Sequence, residues 1–444
     1  MPVTAYSAEH AWLGGDRAEA DVLVEVDGDR ITAVRPGAGR PPGAERLPGL
    51  TLPGLVNAHS HAFHRALRGR THRAGGSFWT WREDMYAVAA ALTPETYRAL
   101  AAATFAEMAL AGITCVGEFH YLHHGPDGVP YAAPNAMGEA VLAAAADAGI
   151  RITLLDTCYL AGGFDRPLEG AQRRFGDGDA AGWAARAGDL RADGTARTGA
   201  AIHSVRAVPA DQLAPVAAWA AERDAPLHVH LSEQRAENDD CRAAHGRTPT
   251  ELLADAGALG PRTTAVHATH LRAPDVGLLG GSRTGVCLCP TTERDLADGI
   301  GPGRDLADAG APLSLGSDSH AVVDLFEEAR GVEMHERLAG HRRGRFTTAE
   351  LLAAATSSGA ASLGWPEAGR IAPGAPADLL TVGLGSPRLA GARPDTLLES
   401  VVFAGGAADV REVVVAGRRV VRDGRHVAID VPRALDAAIG AVLA

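Results

Sequence analysis

The sequence predicts a (β/α)8 barrel, a fold in which eight parallel strands alternate with helices. Between residues 55 and 316, eight short apolar runs alternate with alanine-rich stretches of helical character. Two of these stretches begin with a Thr-Pro pair, at Thr93 and Thr248, which is typical of a helix start. Both ends of the chain are instead rich in short strands. A doubly wound parallel sheet is the alternative, because periodicity alone does not separate the two folds.

The barrel elements follow one another in a regular order along the chain. The predicted strands cover residues 55–58, 113–118, 150–156, 199–204, 226–231, 263–268, 284–288 and 312–316. Helices fit between them over residues 94–111, 134–148, 209–223 and 249–256. This alternation is what a parallel barrel requires, because each parallel strand needs a crossover connection to the next.

The terminal segments read as β-rich. Apolar runs at 22–26 and 31–34 flank an Asp-Gly turn and predict a hairpin, and a further strand is expected at 47–52. At the other end, we expect strands at 377–382, 400–403, 410–415 and 420–421.

The composition excludes several classes of function. The chain has 444 residues with 54 acidic and 42 basic side chains, and every basic one is arginine. Without lysine there is no Schiff-base site for pyridoxal phosphate, no phosphate-binding P-loop lysine and no carbamylated lysine to bridge two metals. The net charge of −12 argues against a nucleic-acid surface. A small anionic substrate is still allowed, because a few local arginines can outweigh a distant negative field.

The cysteines and the absence of targeting signals indicate a location. The five cysteines include no CxxC pair, and we expect all of them to be reduced. No apolar run approaches the length of a membrane span, and no signal peptide is visible. We therefore expect a cytoplasmic protein without a membrane or nucleic-acid partner.

Reactive side chains of a barrel lie at the carboxyl ends of its strands, so the residues at these ends are the first candidates for a site. The first strand leads into His59-Ser60-His61. The period of two in a strand puts both imidazoles on one face, where two ring nitrogens can reach one ion. An isolated His-x-His is a weak signal, but this one directly follows an apolar strand.

Further ligand-type residues follow three other strands. The fifth strand ends at His230, and Glu233 lies three residues later. A carboxylate near a metal ion is a natural proton shuttle, although Ser232 and Glu233 also suit a helix start. The sixth strand leads to His267 and the eighth to Asp318. Histidines and an aspartate at the ends of strands one, five, six and eight predict a metal-dependent reaction centre.

This set of residues resembles the amidohydrolase superfamily, in the branch of aminohydrolases that hold one metal ion. The resemblance implies that His59, His61, His230 and Asp318 bind one divalent metal, usually zinc. Iron also suits imidazole and carboxylate ligands. It further implies that Glu233 is the proton shuttle, that His267 polarises the substrate and that Asp318 can accept a proton. The lack of lysine fits this one-metal branch.

The resemblance also implies a domain organisation. Enzymes of this superfamily carry a small composite β-sandwich built from both terminal segments, and residues 369–379 match the segment that re-enters it. We therefore expect residues 1–50 to form the N-terminal part of the sandwich. Residues 51–370 would form the catalytic barrel, and residues 371–444 the C-terminal part.

Several unusual segments narrow the resemblance to the formimidoylglutamate deiminases. They are residues 59–65, 77–83, 117–124, 203–208, 233–234, 239–241, 266–270 and 316–320. This family hydrolyses N-formimidoyl-L-glutamate to N-formyl-L-glutamate and ammonia in histidine degradation. The resemblance thus implies a dicarboxylate substrate for this chain, and a homodimer as its assembly.

The expected substrate needs cationic recognition at its two carboxylates. Arginine binds a carboxylate through two parallel hydrogen bonds, and we assign Arg82 and Arg206 to this role. Tyr121 and His203 are expected to add hydrogen bonds. His64 stands where better-known family members have glutamine, and it is a further candidate for contact with a carboxylate.

Two alternatives remain open at this point. Another aminohydrolase of this branch, such as a purine or pyrimidine deaminase, would favour stacking aromatics and amides over paired arginines. A non-catalytic metal-binding relative would have no need of Glu233 and His267.

Overall fold

The computed structural model describes residues 4–72, 78–192 and 194–444, and within them two eight-stranded sheets. The first strands are β1 (Thr4–Trp12), β2 (Ala18–Asp27), β3 (Arg30–Arg35) and β4 (Glu45–Pro53). The next eight are β5 (Leu55–Ser60), β6 (Ile113–His120), β7 (Arg151–Cys158), β8 (Ala196–Ile202), β9 (Leu227–Leu231), β10 (Thr263–His267), β11 (Gly285–Leu288) and β12 (Leu313–Leu315). The last are β13 (Leu379–Val382), β14 (Val410–Val415), β15 (Arg418–Arg422) and β16 (Arg425–His426).

Most of the helices lie between or directly after the strands of the second sheet, whereas the last two lie between and after the C-terminal strands of the other sheet. The helices are α1 (Phe78–Ala91), α2 (Pro94–Leu110), α3 (Ala136–Ala148), α4 (Ala180–Gly188), α5 (Ala210–Glu222), α6 (Arg235–His245), α7 (Pro249–Asp255), α8 (Ala273–Gly281), α9 (Pro290–Asp295), α10 (Gly303–Ala309), α11 (Leu325–Gly340), α12 (Thr348–Ala354), α13 (Ser357–Ser362), α14 (Leu397–Ala404) and α15 (Val431–Leu443). In the described part of the chain, none of these helices is both long and apolar enough to cross a membrane.

The predicted barrel is confirmed. Strands β5 to β12 form a parallel sheet in which each strand pairs with its neighbours in the sequence, and most of their residues are buried. Strands covered on both faces read as continuous apolar runs rather than as alternating ones, which explains the pattern in the sequence. The Thr-Pro pairs begin α2 and α7, where the hydroxyls of Thr93 and Thr248 accept hydrogen bonds from backbone N–H groups of the first turn.

The barrel closes between the ends of its first and eighth strands. Ser60 and Asp318 form a parallel bridge. The N–H of Asp318 donates to the carbonyl of His59 at 3.0 Å, and the N–H of His61 donates to the carbonyl of Asp318 at 3.2 Å. The amide side chain of Asn57 donates to the hydroxyl of Ser317 at 2.7 Å and accepts its backbone N–H at 2.9 Å. Backbone and side chains together therefore close the sheet at this end.

The terminal segments meet in the other sheet, in the order β16-β15-β14-β13-β4-β1-β2-β3. The chain ends are joined where β13 pairs antiparallel with β4, with Leu379 opposite Pro53. This sheet packs on the barrel through a buried ion pair, because the Nε of Arg151 on β7 donates to Asp378 at 2.6 Å. A mixed sheet built from both termini is confirmed. The boundaries at residues 50/51 and 370/371 stay a prediction.

One predicted strand was wrong. Residues 400–403 belong to helix α14, and the chain buries Leu397, Leu398, Val401 and Val402 from it. These positions recur at three- and four-residue spacing, which is the face of a helix, whereas the short run 400–403 taken alone also suits a strand. The prediction also missed β1, whose alternating small and polar residues carry little β-strand signal.

Gly316 is required by the closure of the barrel. A Cβ atom there would lie 2.7 Å from the Cβ of His59 and 2.9 Å from its carbonyl oxygen. We expect Gly316→Ala to lower the free energy of unfolding, measured in urea, by about 1–3 kcal/mol, the usual range for overpacking. As a matched control, an added Cβ at Gly277 in α8 meets nothing within 4 Å. Gly277→Ala should leave stability unchanged or raise it slightly. Equal stability of the wild type and Gly316→Ala would contradict this account of the closure.

Candidate active site

Four predicted ligand side chains meet at the carboxyl end of the barrel. The Nε2 atom of His59 lies 3.2 Å from Oδ1 of Asp318 and 3.1 Å from Nε2 of His230. The Nε2 atom of His61 lies 3.3 Å from the same aspartate oxygen. One ligand atom from each of the four lies within 4.8 Å of the others. The strand ends therefore converge on one point, as the sequence predicts.

Backbone carbonyls orient two of these imidazoles. The Nδ1 of His61 donates to the carbonyl of Phe119 at 2.9 Å, and the Nδ1 of His230 donates to the carbonyl of His203 at 2.9 Å. Because Nδ1 carries the proton in each ring, Nε2 of each carries a lone pair, which faces Asp318 in His61 and Nε2 of His59 in His230. Hydrogen bonds of this kind commonly fix the tautomer of metal-binding histidines.

The arrangement fits a divalent cation. Two ligands at about 2.1 Å from one tetrahedral ion lie roughly 3.4 Å apart, close to the spacing found here. Burial lowers the pKa of His59 to about 3 and also lowers those of His61 and His230, so these imidazoles are neutral. Burial alone would raise the pKa of Asp318, but the neighbouring histidines hold it below its usual range. Neutral nitrogen lone pairs facing a buried carboxylate form a cation site.

The backbone is strained where the strands deliver these groups. Ser232, His267, Asp318 and His320 all adopt positive φ, at 52°, 68°, 42° and 58°. This conformation costs about 1–2 kcal/mol for a residue with a Cβ atom. Such residues cluster at functional sites, where the surrounding structure holds them in place. Here the positive φ angles accompany sharp turns of the chain at the ends of β9, β10 and β12.

Glu233 and His267 lie beside the ligand cluster. The Nε2 of His267 is 3.9 Å from Oε1 of Glu233 and 3.9 Å from Oδ2 of Asp318. Burial raises the pKa of Glu233 above its ordinary value. Burial would lower the pKa of His267, but Glu233, Glu293 and Asp318 around it raise it well above the ordinary value. Both groups therefore have a raised pKa and lie close to the ligand cluster.

Glu293 supports His267 from behind. Its Oε1 atom lies 3.5 Å from Nδ1 of His267 and accepts the backbone N–H of Cys289 at 2.9 Å. His267, Cys289 and Glu293 form a second group of ligand types within 4.8 Å of one another. Burial raises the pKa of the Cys289 thiol well above its usual value, so the sulfur keeps its proton. The first cluster is therefore the better cation site, because metals bind the thiolate rather than the thiol.

Glu118 holds the His-x-His segment from below. Its carboxyl oxygens accept the Ser60 hydroxyl and the backbone N–H of Ala62, each at 2.6 Å. The Ser60 hydroxyl also lies 3.0 Å from Nε2 of His320. Burial raises the pKa of Glu118 to about 8. This buried network fixes the residue between His59 and His61, and with it the direction of both rings.

A cavity opens above the cluster and contains about 590 Å3 of empty space, part of it open to solvent. All five predicted substrate residues line it together with several aromatic side chains. The lining consists of His61, His64, Trp81, Arg82, Met85, Tyr86, Tyr121, Tyr159, Phe175, His203, Arg206, His230, Glu233, His267 and Asp318. Every predicted site residue except His59 therefore lines one cavity. His59 belongs to the ligand cluster beneath it.

His64 is tied to Tyr121. Its Nε2 lies 2.9 Å from the tyrosine hydroxyl, and both side chains are buried. Burial, with His61 nearby, lowers the pKa of His64 well below its ordinary value, so the ring is neutral. The histidine thereby holds the Tyr121 hydroxyl, which also donates to Sδ of Met85 at 3.7 Å, at the wall of the cavity.

Arg206 brings a positive charge to the wall of the cavity. Its guanidinium lies near buried Glu237, with 3.9 Å between Nε and Oε2, and the Nε atom has no hydrogen-bond partner in the described residues. Burial would lower the pKa of Arg206, but Glu237 and Glu233 raise it. Burial raises the pKa of Glu237 to about 7. Arg206 is thus a half-buried cation whose Nε–H group is available to donate a hydrogen bond to a ligand.

Sequence reasoning missed the supporting residues. Glu118 and Asn57 lie within predicted barrel strands, and both are buried. The available signal was a carboxylate and an amide inside an otherwise apolar strand. Glu293, Tyr86 and Tyr159 carry no local signal, because their partners are far away in the chain.

Comparisons with known proteins agree with this geometry. A family model described as "Amidohydrolase family" matches residues 50–420. A formimidoylglutamate deiminase from Pseudomonas aeruginosa is 42% identical over 439 residues, covering 96% of both chains.

Two solved structures extend the likeness to three dimensions. An amidohydrolase from Brucella melitensis is 35% identical with a TM-score of 0.92, covering 99% of this chain and all of its own. An adenosine deaminase from Xanthomonas campestris with bound zinc is 26% identical with a TM-score of 0.85, covering 99% of this chain and 97% of its own. The barrel, the ligand cluster and these matches lead to one conclusion: the chain belongs to the amidohydrolase family.

Proposed function

We propose that this chain hydrolyses N-formimidoyl-L-glutamate to N-formyl-L-glutamate and ammonia. The observation that carries the proposal is that two arginines, Arg82 and Arg206, line the same cavity as the ligand cluster. A dicarboxylate with an amidine-like end fits such a cavity, because guanidinium groups bind carboxylates bidentately. The formimidoylglutamate deiminase from Pseudomonas aeruginosa, similar over nearly the whole chain, supports the same substrate.

His59, His61, His230 and Asp318 would hold the metal ion, and zinc is our proposal for its identity. Three imidazoles and a carboxylate suit zinc, and the similar adenosine deaminase structure has zinc bound. When bound, such an ion acts as a Lewis acid and makes water a nucleophile near neutral pH.

The protein groups around the cluster would manage the protons. Glu233 or Asp318 takes a proton from the attacking water, whose oxygen forms the new bond to the formimidoyl carbon. His267, 3.9 Å from both carboxylates, stabilises the charge that develops on the substrate. Glu233 delivers this first proton to the imine nitrogen, which gives a tetrahedral intermediate with one hydroxyl and one amino group. As the hydroxyl loses its remaining proton to a neighbouring carboxylate and the C=O bond forms, Glu233 delivers a second proton to the same nitrogen, the C–N bond breaks and ammonia leaves. A carboxyl group whose pKa burial raises suits both steps.

The substrate residues would orient the glutamate part. Arg82 and Arg206 take the two carboxylates, while Tyr121 and His203 donate further hydrogen bonds. His64 holds the Tyr121 hydroxyl in place at 2.9 Å and takes the position of the glutamine expected in other members. Remote contacts of this kind keep the reacting carbon beside Glu233 and His267.

The proposal extends to the setting of the enzyme. Its substrate places it in histidine degradation, and the family resemblance supports a homodimer. The five cysteines are all free and buried, which agrees with our prediction of a cytoplasmic location. No nucleic-acid or membrane partner is part of the proposal.

The substrate assignment is tested by ammonia release from N-formimidoyl-L-glutamate, with adenosine, guanine and cytosine as comparison substrates. We expect turnover of the first compound only. Arg206→Ala should raise KM by about 10- to 100-fold with a smaller change in kcat, because a hydrogen-bonded partner of a charged group is lost. Exposed Arg98, which pairs with Asp147 on the outer surface, supplies the control Arg98→Ala, which should behave as wild type.

Turnover of a nucleobase without turnover of N-formimidoyl-L-glutamate would overturn the assignment. An unchanged KM in Arg206→Ala would remove this arginine from carboxylate binding. A metal-loaded protein inert toward all four compounds would favour a binding role instead.

Glu233→Gln isolates the proton shuttle. The amide keeps the shape of the side chain but cannot carry the proton, so we expect kcat to fall by about 10²- to 10⁴-fold while metal content stays the same. Glu222→Gln makes the same chemical change on an exposed residue of α5 and should leave kcat unaltered. Near-normal turnover by Glu233→Gln, measured by ammonia release with metal analysis alongside, would exclude the shuttle role.

A further inference from the structure

Three side chains outside the predicted set form a hydrogen-bonded group at the cavity wall. The Nε2 of Gln172 donates to the hydroxyl oxygen of Tyr86 at 2.9 Å and to that of Tyr159 at 3.1 Å. Tyr86 comes from α1, Tyr159 follows β7, and Gln172 lies in a short 3-10 helix, Gly170–Phe175. Both tyrosines line the cavity, whereas Gln172 lies behind them.

The orientation of the Gln172 amide is set by the backbone. Its Oε1 accepts the N–H of Glu169 at 3.2 Å, so the oxygen must face away from the tyrosines and the NH2 group must face them. A glutamine NH2 group has two hydrogens, and here both are used on the two hydroxyl oxygens. Gln172 therefore acts only as a donor toward Tyr86 and Tyr159.

This direction of hydrogen bonding leaves the tyrosine hydrogens available. Each hydroxyl accepts from Gln172 and keeps its own hydrogen to donate elsewhere. If one hydroxyl donates to the other, one hydrogen of the pair still remains for a ligand. Burial, and next the nearby Tyr86, raises the pKa of Tyr159, which keeps this hydroxyl protonated and a donor.

The available hydrogen lies in cationic surroundings. Tyr159 packs against His203, with 4.3 Å between the ring centroids, and Arg206 lies near enough to influence its ionisation. The Arg82 guanidinium stands 5.7 Å from the centre of the Tyr86 ring. Hydroxyl donors in the same cavity wall as two arginines suit an anionic oxygen.

We propose that Tyr86 and Tyr159 donate a hydrogen bond to one substrate carboxylate, and that Gln172 is the positioning residue that directs their hydroxyls toward it. The inference rests on the proposed function, because it takes the dicarboxylate as the ligand. The inference adds two neutral donors, the tyrosine hydroxyls, to the arginines that bind the substrate. Recognition of the carboxylate then depends on the orientation of the Gln172 amide, which lies outside the cavity.

The test compares three substrates in Tyr159→Phe, Tyr86→Phe and Gln172→Leu. They are N-formimidoyl-L-glutamate and the N-formimidoyl derivatives of 4-aminobutyrate and 2-aminobutyrate, each of which lacks one carboxylate. With the full substrate, we expect Tyr159→Phe to lower kcat/KM by about 10-fold or more, mainly through KM, since a hydrogen bond to a charged group is lost. On the derivative without the contacted carboxylate, wild type and variant should be equally active. Gln172→Leu should lower kcat/KM less than Tyr159→Phe does with the full substrate, and should likewise match wild type on the derivative without the contacted carboxylate.

Tyr131→Phe is the matched control. Tyr131 also accepts a hydrogen bond from a neighbouring side chain, Arg174, at 3.3 Å, but it does not line the cavity. It should match wild type on all three substrates. An equal loss on all three substrates in Tyr159→Phe would show a structural role and overturn the inference, as would an unchanged KM. Failure of the wild type to release ammonia from N-formimidoyl-L-glutamate would instead refute the proposed function on which the inference rests.

Discussion

The backbone pairing between His59, His61 and Asp318 is the interaction on which the rest of the site depends. The hydrogen bonds that close the barrel, at 3.0 and 3.2 Å, join the same residues whose side chains converge below the cavity. The hydrogen bonds that close the sheet therefore also hold three of the four ligand residues together. Gly316 allows this closure, because any larger residue would meet His59. His230 completes the cluster from across the barrel, held by the carbonyl of His203.

Burial then sets the chemistry of each group. The ligand histidines are neutral, the Asp318 carboxylate is charged, and lone pairs face each other at distances that a cation would stabilise. Beside them, Glu233 and His267 lie in a small acidic cluster with Glu293, where both have a raised pKa. Arginines, tyrosines and neutral histidines line the other walls of the cavity. One region is thus built to hold a cation and move protons, and the adjoining one to bind anions.

Most of the fold and the ligand set could be predicted because their signals are local. Predicting the site requires only the rule that barrel strands end at one face. The rule brings together the His-x-His after an apolar run and His230, His267 and Asp318 after later strands. The Tyr86–Gln172–Tyr159 group could not be predicted, because it joins a helix, a strand end and a 3-10 helix that are distant in sequence. Glu293 acts on His267 through a similar distant contact. The helix at 397–404 was not predicted because its buried face begins at Leu397, three residues before the run 400–403 that was interpreted as a strand.

Titration of the metal-free chain with Zn2+ by calorimetry tests the central claim most directly, that barrel closure builds a site for one cation. We predict one equivalent bound per chain, a higher melting temperature on binding, and a large loss of affinity in Asp318→Asn. Cys289→Ala, which alters only the second group of ligand types, should still bind one equivalent. Two equivalents in the wild type, or full affinity in Asp318→Asn, would contradict the account.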